Sequence, residues 1–432
     1  MRFPLNGGRT LATRACDAAG VVLLAALLWR IFFLPHRTFD DLALGVAVAG
    51  AAAAWLAAGE WRTAIDLPIA LYVGLTVVSA IVHGGWQAVA TTAGATSAWR
   101  TIIEAAYFYG AVALLGNRRR LAVLMVALVT GILLVSVGAA YDNLMLISHG
   151  ERMRAYQTVS QWSGYPEVGL LQTLALPLIL SMLVISRRVV SHVPSIALLV
   201  VLGLTTWEVD SRGAYVGMLM TFLVLTAVEV ATLRRGRLLS ISVVGALALT
   251  GYASTHPQWT ANVIEGLSER FVNAEVVRVH RGLGAETGFG RFVIWRRTLP
   301  MIRDHAVLGV GPGRYMSALR SGYLAAPTAD DAHAHSMPLH IAAENGVPAA
   351  IAFLAIWWRL LVRLSRRIDR THIGLLAFAF GGVLVAYFLR NVGDDFTSGI
   401  IMTSDRVSFL LWTLFAAGAS VVRLPDDRLV PA

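Results

Sequence analysis

Lysine is absent from this chain, and all 36 of its basic residues are arginine. There is one cysteine, Cys16, which excludes intramolecular disulfides and any cysteine-based metal site. Charge of either sign is scarce: 14% of the 432 residues are charged, where a soluble enzyme carries about a quarter. What is there instead is 56% hydrophobic, laid out in long apolar runs over the whole length. Such a chain is an all-α polytopic membrane protein. The net charge of +10 has two readings, a coding bias toward arginine joined to topology signals, or phosphate binding by guanidinium groups. Nucleic acid is not an expected partner, because no basic stretch is interleaved with aromatics in a soluble segment.

The first 33 residues, MRFPLNGGRTLATRACDAAGVVLLAALLWRIFF, combine basic residues with an apolar run, as a signal peptide does. The run ends in WRIFFLPHR without a small-x-small cleavage site, so an uncleaved first span is expected. A span needs about 20 apolar residues. The runs place spans near 16–34, 40–58, 65–83, 98–116, 120–140, 166–186, 192–209, 213–232, 238–255, 339–362, 372–390 and 405–422, which is about twelve. With the N-terminus inside, the short basic connections GNRRR, SRRVV, LRRGR and RLLVRLSRRIDR all fall on the cytoplasmic side, as arginine bias requires. Both termini are then cytoplasmic. The organisation expected is nine spans over residues 1–255, one large external loop over 256–338, and three spans with a short cytoplasmic tail over 339–432.

Within that loop, RFVIWRRTLPMIRDH puts Phe292, Trp295, Leu299 and Ile302 on one face at helical spacing, with Arg296, Arg297 and Arg303 elsewhere. This predicts a short amphipathic helix at the outer interface. The unusual polar residues fall on the same external side: Asp330, Asp331, His333, His335, Glu344, Asp394, Asp395 and the isolated arginines Arg154, Arg212, Arg291, Arg314 and Arg390. Arg154, Arg212 and Arg390 sit near span ends, where a charge is costly unless paired or wetted, or else reaches along its own stem to the interface.

His335 is the leading candidate for proton chemistry, since imidazole titrates near pH ~6.5 and serves as a general base toward hydroxyls. A structural role at a helix start is the plainer alternative. His333, His335 and His340 also invite a metal reading, which no HExxH motif completes. The segment GVGPGR (309–314) lacks the lysine and hydroxyl of a phosphate-binding loop and predicts a tight turn. One candidate base beside several arginines, with no metal motif, suits group transfer from a lipid-linked phosphate or pyrophosphate, the arginines holding the leaving group.

These residues resemble the O-antigen ligases, within the wider group of lipid-linked oligosaccharide ligases and polymerases. That family carries His-(Asn/Ser/Gln), nine residues and then Gly at the start of a span. Here His335-Ser336 and Gly346 fit it, with Ala349 where Gly, Thr or Tyr is usual. SRGAYVG resembles the family's Ser-Arg-Gly-Ala span start and points to Arg212. GRFVIWRRTLPMIRDHAVLGVGPGRY is similar to its Arg…Trp…Asp-His-Pro…Gly-Val-Gly loop and points to Arg291, while ERMRAYQTV suggests Arg154. LRNVGDDF resembles an Arg-Asn-x-Thr-Asp-Asp-Phe signature, with Gly393 in place of Thr.

The resemblance covers roughly residues 150 to 412. It implies a GT-C-like, inverting glycosyltransferase in lipopolysaccharide biosynthesis that needs no metal or other cofactor, with its active site at the periplasmic face of a bacterial inner membrane. The donor implied is an undecaprenyl-pyrophosphate-linked polysaccharide and the acceptor lipid A–core. His335 would be the base, Arg154, Arg212 and Arg291 the pyrophosphate ligands, and Asp331, Arg390, Asp394 and Asp395 supporting groups. Rival expectations are an O-antigen or polysaccharide polymerase, a protein O-oligosaccharyltransferase, and a secondary transporter, which would show inverted repeats and broken helices at mid-membrane.

Overall fold

Each apolar run that the structure describes becomes a helix, because in a bilayer the backbone must satisfy its own hydrogen bonds. The computed structural model describes residues 11–33, 39–56, 62–91, 97–148, 165–185, 192–209, 212–233, 290–323, 334, 336–369, 371–393 and 405–425, with isolated positions between 236 and 261. The first eight helices are α1 (Leu11–Phe33), α2 (Phe39–Leu56), α3 (Asp66–Thr91), α4 (Ala98–Leu114), α5 (Arg118–Ser148), α6 (Tyr165–Ile185), α7 (Val193–Val209) and α8 (Arg212–Val228). The last of these runs on into a π-helical turn, Glu229–Leu233. The loop expected over 256–338 contributes α9 (Gly290–Asp304) and α10 (Tyr315–Ala318), the latter followed by a second π-helical turn, Leu319–Tyr323. Then come α11 (Met337–Asn345), α12 (Val347–Ser365), α13 (His372–Gly393) and α14 (Asp405–Arg423). No strand occurs among the described residues.

Seven of these helices are long and apolar enough to cross a membrane: α1, α3, α5, α6, α8 with its π turn, α12 and α13. Shorter apolar helical stretches lie at Leu42–Ala54, Val193–Val209 and Val407–Arg423. This is a multi-pass membrane protein. The run expected at 238–255 lies outside the described residues apart from isolated positions. The span expected at 339–362 is not one helix, since α11 and α12 meet at a break on Gly346. The span expected at 120–140 extends into the 31-residue α5.

Small residues set the closest helix contact. A Cβ on Gly50 of α2 would lie 2.3 Å from the Gly110 carbonyl of α4, so the two backbones touch there, as small-residue interfaces in membranes allow. Polar pairs fix the relative direction of the helices. Tyr109 Oη donates to Asp66 Oδ1 at 3.1 Å, which sets the start of α3 beside the second half of α4. Ser408 donates to Glu104, and Ser420 Oγ donates to the Val112 carbonyl at 3.4 Å, so α4 and α14 run parallel. Arg120 Nη1 donates to the Leu114 carbonyl at 2.7 Å, and Arg367 donates to the Val422 and Leu424 carbonyls at 2.9 and 2.8 Å. The arginines of GNRRR and of the α12–α13 connection therefore collect at one end of the bundle, with the C-terminus of α14.

One buried ion pair lies inside this frame. Arg100 Nε donates to Glu104 Oε1 at 3.0 Å, and Trp412 Nε1 donates to Glu104 Oε2 at 2.8 Å. With Ser408 added, the carboxylate is shared by α4 and α14, and the Arg100 guanidinium stands 5.2 Å from the Phe409 ring centroid. A buried charge this well partnered keeps two helices in one register.

Candidate functional site

The site is built on α11 and the turn that packs against it, at the opposite end of the bundle from the clustered arginines. Ser336 stands at the N-cap in extended backbone (φ −160°, ψ 116°), with a proline in the first turn, where a missing N–H costs nothing. The helix stops at Gly346, whose φ of 89° and ψ of 161° lie in a region open essentially to glycine alone. A Cβ on Gly346 would lie 2.1 Å from the Val307 carbonyl oxygen, and one on Gly309 would lie 2.3 Å from that of Glu344. The two backbones approach closely enough to exchange hydrogen bonds. Val310 N–H donates to the Ala343 carbonyl at 2.8 Å, Gly311 N–H to Glu344 at 2.9 Å, and Val347 N–H to Ala306 at 2.8 Å. The Gly-rich segment is the tight turn its composition predicts, with positive φ at Gly309, Gly311 and Gly313.

Side chains complete the clasp. Glu344, buried at 2% exposure, accepts the Gly313 N–H on Oε2 at 2.9 Å and the Tyr315 N–H on Oε1 at 3.0 Å. One helical turn earlier, His340 Nε2 stands 3.7 Å from the same carboxylate, and its ring centroid lies 4.9 Å from that of Tyr315. Tyr315 Oη in turn shares a 2.7 Å hydrogen bond with Thr298 of α9. From α3, the Ser79 hydroxyl lies 2.6 Å from the Leu308 carbonyl and 3.3 Å from that of Glu344.

Ala334 is held from two directions. Its N–H donates to His340 Nδ1 at 3.4 Å, and its carbonyl accepts the Trp295 Nε1–H at 2.9 Å. Trp295 lies one helical turn beyond Arg291 on α9, and Ala334 precedes His335, so the bond ties the helix that carries one candidate to the backbone beside the other. At the far end of α9, hydrogen bonds from Arg303 and then Tyr323, each 3.0 Å, hold the exposed Asp304 carboxyl below the usual carboxylate range.

The expected face of α9 is shifted. Arg296, Arg297 and Arg303 are exposed as expected, but so is Leu299, at 52%. The buried stripe is Ile294, Thr298 and Met301. Thr298 takes the inward position because its hydroxyl has partners there, the Ile294 carbonyl at 2.8 Å and Tyr315.

Of the candidates read from the sequence, His335, Arg154, Asp331, Asp394 and Asp395 lie outside the described residues. Arg212 begins α8 and Arg291 is the second residue of α9, and the description of both stops at the backbone. Arg390 is described in full: it is 1% exposed near the end of α13, against Gly217 of α8, where a Cβ would lie 3.3 Å from its Cδ. Thr173 of α6 faces the same glycine, its methyl 3.1 Å from that Cβ position.

Three contributors escaped the sequence reading as site-builders: His340, Glu344 and Trp295. The legible signal was His340 and Glu344 at i, i+4 on an otherwise apolar helix. Asn345 is a fourth, fully buried with neither amide atom hydrogen-bonded among the described residues.

Residues 195–354 match the family described as O-Antigen ligase. Over this segment the chain is similar to the O-antigen ligase family. The match runs from α7 into α12 and takes in Arg212, Arg291, His335 and Gly346 together, whereas Arg154, Arg390, Asp394 and Asp395 fall outside it. No curated protein matches the chain. This similarity supports ligase- or polymerase-type chemistry on a lipid-linked polysaccharide, with a lipid acceptor.

Proposed function

We propose that this protein is an O-antigen ligase that moves a polysaccharide from undecaprenyl pyrophosphate to a sugar hydroxyl of lipid A–core. The reaction is inverting, uses no metal, and takes place at the periplasmic face of the inner membrane on a GT-C-like scaffold with both termini cytoplasmic. The observation that carries this reading is the family match, which spans the candidate base and two of the candidate arginines in one segment. The clasp between α9 and the residues flanking His335 supports it, because a base and an anion ligand on separate elements must be held in fixed register to act on one substrate.

In this reading His335 takes the proton of the acceptor hydroxyl. The acceptor oxygen forms a bond to the anomeric carbon, and the bond from that carbon to the pyrophosphate oxygen breaks, which inverts the anomeric centre. Arg154, Arg212 and Arg291 hold the departing undecaprenyl pyrophosphate and stabilise its growing charge. Asp331, Arg390, Asp394 and Asp395 support the two sets.

Deletion of the gene followed by electrophoresis of lipopolysaccharide tests the assignment. The expected result is loss of the polysaccharide ladder on lipid A–core while full-length lipid-linked polymer accumulates. A surviving ladder overturns it, and loss of polymer length in the lipid-linked pool assigns the protein to polymerisation instead.

Trp295→Phe keeps the ring and removes the hydrogen bond to Ala334. It is expected to lower kcat by about tenfold with little change in KM, as a misplaced catalytic group does. Steady-state kinetics on purified protein checks the split, since an equal loss through KM alone would assign Trp295 to substrate binding.

A further inference from the structure

The α1–α5 surface carries a feature that the ligase reading does not use. The two helices are joined at one end, where Arg120 Nη1 and Nη2 reach Asp17 Oδ1 and Oδ2 at 3.3 and 3.1 Å. Further along they touch again, since a Cβ on Gly131 of α5 would lie 2.6 Å from the Phe32 ring of α1. Between them runs a groove of about 680 Å³, walled by apolar side chains that include Leu24 and Leu28 of α1 and Leu124 and Ala127 of α5. Its α5 wall extends from Arg119 to Leu134, a rise of about 22 Å. That exceeds the hydrocarbon depth of one leaflet, about 15 Å.

The charged side chains that line the groove, Arg119 and Arg120, lie together at one end beside Asn117. Arg120 is committed to Asp17 and to the Leu114 carbonyl. Arg119 is exposed and has no hydrogen bond or ion pair among the described residues, and Arg118 adds a third positive charge beside it. Of the two arginines that line the mouth, Arg120 is matched by Asp17 and Arg119 is not, so the mouth of an apolar groove carries excess positive charge. Basic pockets between transmembrane helices at this level attract anionic lipid headgroups.

We propose that this groove binds one anionic phospholipid, its phosphate at Arg119 and an acyl chain laid between α1 and α5. The donor lipid of the transfer reaction is a different molecule, because its pyrophosphate belongs at the α11 end and the arginines of the groove collect at the other. The two proposals stand or fall separately.

Native mass spectrometry of the full-length protein tests this. The protein is exchanged into micelles containing equal amounts of phosphatidylglycerol and phosphatidylcholine with the same acyl chains. The expected result is one phosphatidylglycerol retained in preference to phosphatidylcholine. Arg119→Glu lowers that retention by about tenfold, and Ala127→Trp lowers it by filling the groove while leaving the arginines in place. Arg119 is exposed, so its variant reports even where a tryptophan in the groove disturbs packing. Equal retention of the two lipids overturns the proposal, as does unchanged retention in Arg119→Glu. A dimer that Ala127→Trp dissociates, with lipid retention unaltered, also overturns it and assigns the groove to a second copy of the chain.

Discussion

Replacing His335 with alanine is expected to lower the rate of polysaccharide transfer by about 10²–10⁴-fold, the contribution of a positioned general base. A sugar hydroxyl is a weak nucleophile until its proton has somewhere to go. Without the imidazole the proton must leave to water as the glycosidic bond forms. The substitution leaves the surrounding clasp in place, because Ala334 is held through its backbone N–H and carbonyl by His340 and Trp295. The thermal midpoint of the purified variant is therefore expected to match that of the unmodified protein while single-turnover transfer collapses. Undiminished transfer would remove His335 from the mechanism.

Gly346→Ala is expected to destabilise the protein by about 3 kcal/mol or more, from two independent sources. An alanine has to adopt φ near 89° and ψ near 161°, a conformation costing about 1–3 kcal/mol. Its Cβ also meets the Val307 carbonyl oxygen at 2.1 Å, and that backbone is pinned by the Val347–Ala306 hydrogen bond beside it. Relief requires the 306–311 segment to leave α11, which breaks the Val310–Ala343, Gly311–Glu344 and Val347–Ala306 backbone hydrogen bonds. Thermal unfolding in detergent micelles should show a clearly lowered midpoint, and transfer activity should fall with it. A variant with unaltered midpoint would mean that the 306–311 turn yields freely, and that the motif glycine is kept for another reason.

The glycine also marks where sequence and structure part company. Hydropathy joined residues 339–362 into one span because Val347, Ala349 and Ala350 continue the apolar run across the break. Hydropathy carries no information about φ, and the break is a backbone event made by contact with the Gly309 turn far away in sequence. For the same reason helical spacing from Phe292 and Trp295 favours Leu299 over Thr298. Its inward position depends on Tyr315, seventeen residues on.

Other apolar runs that the structure describes are helices close to their expected bounds. The expected 98–116 span became α4 (Ala98–Leu114) despite its two charges, since Arg100 and Glu104 satisfy each other one turn apart. Their further partners, Ser408 and Trp412, could not be read from spacing because they come from a helix some 300 residues later. The expected site was read as a set of residue types, a base with arginines and a motif glycine, of which the structure describes the glycine in full and Arg212 and Arg291 at the backbone. The His340, Glu344 and Trp295 contacts that join α9, α11 and the turn between them were not legible, because each is a side chain meeting a distant backbone.

The most direct test of the account is transfer by the purified protein alone, supplied with undecaprenyl-pyrophosphate-linked polysaccharide and lipid A–core, with the lipid products resolved by electrophoresis and mass spectrometry. The expected product is polysaccharide joined to lipid A–core through a new glycosidic bond of inverted configuration, with undecaprenyl pyrophosphate released and no loss of rate when metal is chelated. Lengthened polysaccharide still carried on undecaprenyl pyrophosphate, with lipid A–core unmodified, would contradict it.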